Sequence, residues 1–115
     1  MKNLDFLRLR EEHTARRFDL CDVKSRDYTT GDNRLDNFYR LAGMYDVHPL
    51  KVLGIYLQKH QDSIARYIKT EGKEKYSESI EGRLADVQNY LDLMLAMIKE
   101  LKDLQKPEFE AGRNC

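Results

Sequence analysis

Apolar side chains recur along most of this chain at steps of three and four residues, the spacing that gives a helix one apolar face. A first helix is expected over most of residues 4 to 26, with Phe18, Leu20, Cys21 and Val23 as its apolar contacts. The stretch DYTTGD ends it, since Thr, Gly and Asp together read as a loop. Asp32 is placed to cap a short second helix, on which Leu35, Phe38, Leu41 and Ala42 share a face. His48-Pro49 opens a third, because proline lacks the N–H that would go unpaired at the first helical position. Leu53, Leu57, His60, Ile64 and Ile68 form its stripe, Gly72 ends it, and the polar linker GKEKYS follows.

The fourth helix is expected from near Ser77, with Glu78 and Glu81 in its first turn, to about Lys106, where Pro107 blocks continuation. At ~100° per residue, Leu84, Val87, Leu91, Met94, Leu95 and Ile98 form one stripe. Asp86, Tyr90, Leu93 and Met97 form a second beside it. Together they span about 200° of the circumference, more than a surface helix buries. The fourth helix is therefore expected to be central and also to meet a second subunit.

These elements define an all-α fold, a four-helix bundle in one domain over residues 1–106 with a loose tail at 107–115. A length of 115 residues suits one core. Apolar residues at 41% and charged residues at 35% exclude a disordered chain. Two cysteines, Cys21 and Cys115, are too few for a disulfide framework and point to a reducing, cytoplasmic setting. The N-terminal segment MKNLDFLRLREEH lacks the apolar core of a signal peptide. The run LMLAMI is far short of the ~20 residues a membrane span needs. A formal net charge of zero argues against nucleic acid as a partner. Arg16, Arg17, Lys24 and Arg26 make a basic stripe, but Asp19, Asp22 and Asp27 interrupt it, so it reads as solvated surface.

Four polar clusters could carry chemistry: Lys24, Asp27 and Tyr28; Asp32, Arg34, Asn37 and Phe38; Lys59, His60 and Ser63; and Arg83, Asp86, Asn89 and Tyr90. Each has a plain structural alternative. Lys24 and Asp27 suit an i,i+3 ion pair, His60 a satisfied core histidine, Asp86 an interhelical acceptor, Asn37 a cap, and Phe38 the core. Taken together, ionisable groups on or beside the apolar faces of several helices suit a shared ligand site. Lysine, arginine and histidine match phosphate oxygens, Asn89 a base edge, and Tyr28 or Phe38 a stacking surface. No phosphate-binding glycine loop, zinc spacing or nucleophile elbow is present.

The motifs KSRDY, DNRLDNF, KHQDSI and IEGRLADVQNYLDL, in that order over about Phe18 to Glu100, resemble the nucleotide modification associated domain, type one. This is a family of small helical proteins common in bacteriophages and similar to the MazG-like all-α nucleotide pyrophosphohydrolases. Lys24, Asp27, Tyr28, Asn37, Phe38, Lys59, Asp86, Asn89 and Tyr90 fall on its motif positions. The resemblance implies a MazG-like core, a homodimer, and a role in deoxynucleotide metabolism within the host cytoplasm.

Under that resemblance Lys59, with Lys24 or Arg34, contacts phosphates, and Asp86 is a general base or metal ligand. Asn89 reads the base or sugar and Tyr28 stacks. If the chain is an enzyme, cleavage between the α- and β-phosphates of a nucleoside triphosphate is the reaction implied. The MazG-like enzymes hold magnesium with a Glu-x-x-Glu pair on one helix and a Glu-x-x-Asp pair on the next. Here His60 and Ser63 stand over the first pair and Arg83 and Asp86 over the second, so only Asp86 keeps a carboxylate. Magnesium needs hard oxygen ligands, so cations in those places suit direct binding of phosphate instead. The competing expectation is a non-catalytic interaction protein that binds a host or phage protein through the wide apolar face of the fourth helix.

Overall fold

The computed structural model describes residues 1–28, 33–73 and 78–105, excluding the side chains of 20, 21 and 23–28. Among the described residues the chain is all-helical: α1 (Asn3–Tyr28), α2 (Asp36–Tyr45), α3 (Pro49–Lys69) and α4 (Ile80–Gln105). None of these helices is long and apolar enough to cross a membrane.

The ends of α3 follow directly from the sequence. Pro49 occupies its first turn, and the extended His48 (φ −66°, ψ 138°) turns its Nδ1 to accept a bond from the Leu50 N–H at 3.1 Å. At the other end, Glu71 and Gly72 adopt left-handed backbone (φ 56° and 72°). The Gly72 N–H returns to the Tyr67 carbonyl at 2.9 Å, satisfying an acceptor of the last turn. The start of α4 lies later than expected. Ser79 caps it, its hydroxyl accepting from the Gly82 N–H at 3.1 Å, and the helix proper begins at Ile80. Helix α2 begins at Asp36. Leu35 precedes it and gives no side-chain bond, while Asn33 Oδ1 accepts from the Leu35 N–H at 2.9 Å. Asp32, the expected cap, and Ser77 lie outside the described residues, as does the 107–115 segment.

Helices α3 and α4 run antiparallel along their length, with His60 beside Asp86, Tyr56 beside Tyr90, and Leu53 beside Met97. Helix α2 packs on α3, and α1 packs on α4. The buried apolar cluster is Leu35, Phe38, Ala42, Val52, Leu53 and Met97, so α2, α3 and α4 build it. Leu53 and Met97 are wholly buried, worth roughly 1.5–3 kcal/mol each. Among the described residues α1 contributes nothing to that cluster, and Phe18, expected to be one of its apolar contacts, is 52% exposed.

The two stripes of α4 exchange the roles that apolar content suggests. Ala85, Asp86, Asn89 and Met97 are buried, whereas Leu84, Leu91 and Leu95 of the more apolar stripe are exposed. One layer of neighbours covers only one side of a helix. The side that carries Asp86 and Asn89 can be covered because α3 and α1 supply polar partners for both. Likewise Ile68, at the end of the expected α3 stripe, is 69% exposed.

Candidate functional site

Two polar clusters sit one turn apart on α4, each facing a different helix. The first lies at the α3–α4 seam. Asp86 is 4% exposed, and its Oδ2 lies 3.5 Å from His60 Nδ1. Arg83, one turn earlier on α4, brings Nη1 to 3.3 Å from the same nitrogen. Glu78 holds Arg83 in turn, Oε2 to Nε at 3.3 Å. The imidazole stacks on Tyr90, ring centres 5.3 Å apart. Behind it Tyr90 stacks on Tyr56 at 6.3 Å, and Phe38 meets both edge-on. The aromatic rings form a floor that fixes the polar groups above them.

The protonation of His60 decides which neighbour it binds. A bare Nδ1 accepts a hydrogen bond from Arg83, while a protonated Nδ1 donates to Asp86 and repels the guanidinium. The seam therefore holds two carboxylates, Asp86 and Glu78, and up to two cationic groups, Arg83 and a protonated His60. Released from the imidazole, Arg83 keeps its Nε on Glu78, and its Nη1 becomes a donor suited to an oxyanion.

The second cluster ties α1 to α4. Arg17 Nη1 donates to Asn89 Oδ1 at 3.1 Å and to Asp92 Oδ2 at 2.6 Å, and its guanidinium lies over the Phe18 ring at 4.7 Å. The Arg17 side chain is 12% exposed, and its Nε is buried without a partner among the described residues. The expectation that Arg17 belongs to a solvated stripe is thus overturned, because the buried Asn89 amide and the exposed Asp92 carboxylate on α4 draw it in. A signal was present: Arg17 lies three residues before Leu20 and four after His13, on one helix face.

The structure brings together His60, Arg83, Asp86 and Tyr90, with Phe38 beneath them in the core. It leaves several other candidates elsewhere. Asn89 is buried and engaged by Arg17, which occupies the amide proposed for a base edge. Lys59 is exposed on α3, one residue from His60. Arg34 pairs with Asp22, and Asn37 accepts from Arg40 at 2.7 Å. Ser63 bonds within its own helix, to the Lys59 carbonyl at 3.3 Å. The side chains of Lys24, Asp27 and Tyr28 lie outside the described residues. Tyr56 and Glu78 join the site without having been singled out as ligand groups.

Comparison with protein-family models, curated proteins and solved structures returns no match. The magnesium that the family resemblance implies does not fit these residues. Among the described residues no three His, Cys, Asp or Glu side chains gather as a ligand set. The buried carboxylate at the seam faces an imidazole that itself meets a guanidinium, surroundings that disfavour a divalent cation.

Proposed function

We propose that this chain binds a nucleoside phosphate at the α3–α4 seam without a metal ion, as a component of nucleotide metabolism. The observation that carries this is the His60 imidazole set between the buried Asp86 carboxylate and the Arg83 guanidinium over the Tyr90–Tyr56 floor. Arg83 and a protonated His60 take phosphate oxygens. Asp86 balances the imidazolium and holds its ring, and Lys59 on the adjacent exposed turn adds a further cation. The resemblance of the motif string to the phage nucleotide family supports the same ligand class. Binding is favoured over the family's metal-dependent hydrolysis because the donor set does not suit magnesium.

Melting the protein against a panel of ribo- and deoxynucleotides, with chelator present, tests this. A nucleotide at about 100 times its dissociation constant adds roughly 2.7 kcal/mol, a rise on the order of 10 °C. Arg83→Gln is expected to abolish that rise. No rise with any nucleotide overturns the proposal, as does a rise that Arg83→Gln leaves intact.

A further inference from the structure

Helix α3 carries four cations, Lys51, Lys59, Arg66 and Lys69, against a single carboxylate, Asp62. All five side chains are exposed. At ~100° per residue they fall within about 80° of the helix circumference, and the cations extend over roughly 27 Å of its length. The opposite side of the helix, with Leu53, Leu57 and His60, is turned into the fold. None of the four cations makes an ion pair among the described residues. Asp62 is within one helical turn of both Lys59 and Arg66, yet it accepts from the Gln58 amide at 2.7 Å instead. Zero formal net charge conceals this face, because the compensating carboxylates lie on another helix. Helix α4 has five against three cations, while α1 balances six with six. With a screening length of about 8 Å at physiological salt, acids beyond the inner side of α3 leave its outer field largely intact.

We infer that the outer face of α3 binds the phosphate backbone of a nucleic-acid duplex. An elongated row of cations matches a row of phosphates, which present one charge per ~1.7 Å of duplex axis. An anionic membrane is the other extended surface of that charge. A helix that lies on a membrane buries its apolar face in lipid, however, and that face of α3 is already buried in the protein. A duplex suits the arc better than a single strand, because its exposed side chains include no aromatic ring on which bases could stack. Contacts to phosphate carry no sequence information, so binding is independent of base sequence. The nucleotide seam lies on the other side of the helix, with Lys59 at the edge between them, so Lys51, Arg66 and Lys69 report on the outer face alone.

Fluorescence anisotropy of a labelled duplex of about 20 base pairs, titrated with the full chain between about 50 and 200 mM salt, tests this. Four phosphate contacts predict that the logarithm of affinity falls with the logarithm of salt at a slope of about −3.6. The triple variant Lys51→Gln/Arg66→Gln/Lys69→Gln, with helicity unchanged, should reduce that slope to about −1 and weaken binding at least ~10-fold. Asp62→Asn removes the one carboxylate of the arc and should tighten binding a few-fold. Failure to bind the duplex at the lowest salt overturns the inference, even if vesicles of anionic phospholipid are bound. So does binding that the triple variant retains, or an Asp62→Asn variant no tighter than the wild type.

Discussion

Asp86 and Lys59 stand at opposite ends of what a charged side chain can contribute to this fold. Asp86 is buried with its carboxylate 3.5 Å from the His60 ring, so truncation leaves a polar group facing a void. Asp86→Ala is expected to cost about 2–3 kcal/mol in urea unfolding, whereas Lys59→Ala, on the exposed side of α3, should change stability by less than ~0.5 kcal/mol. Equal effects would show that the seam is not organised around the carboxylate. Tyr39 gives a pH signature of its own. Burial first, then its hydrogen bond to Glu100 at 3.0 Å and the charge of that carboxylate, raise its phenol above the ordinary value of 10.0. A group whose pKa is raised on folding contributes its full stability below the unfolded value and loses it as pH rises through the folded one. Tyr39→Phe should therefore flatten the decline in stability above about pH 10. An unchanged slope would remove Tyr39 as its source.

Helix ends were more legible from sequence than helix orientation. His48-Pro49 and Gly72 carry backbone information that needs no tertiary context, and α3 begins and ends where they place it. Gly72 (φ +72°) would also set an added Cβ 3.0 Å from the Tyr67 hydroxyl. Gly72→Ala is thus expected to lower stability by about 1 kcal/mol or more in thermal or urea unfolding, and a neutral result would mean that the turn relaxes freely. For α4, periodicity revealed two stripes without saying which one faces inward. The choice falls to groups distant in sequence, since His60 and Arg17 make the less apolar stripe the one that can be buried. Arg17 itself looked like surface for the same reason: its partners Asn89 and Asp92 lie more than seventy residues away. The Ser79 cap was hidden by a run of acceptable starts, Ser77 and Ser79, between which only the folded backbone chooses.

Over the whole molecule, α3 and α4 form one antiparallel seam, α2 closes the apolar end of it, and α1 is clasped on by Arg17. The candidate site thus lies on the best-supported pair of helices, where side chains are held by packing on both sides. The exposed Leu84, Leu91 and Leu95 of α4 lie away from it. The most direct measurement of ligand binding is an NMR titration of isotope-labelled protein with a deoxynucleoside triphosphate in the presence of chelator. Saturable shifts centred on His60, Arg83 and Asp86, and lost in Arg83→Gln, are expected. No shifts, or shifts centred away from the α3–α4 seam, would contradict a nucleotide site there.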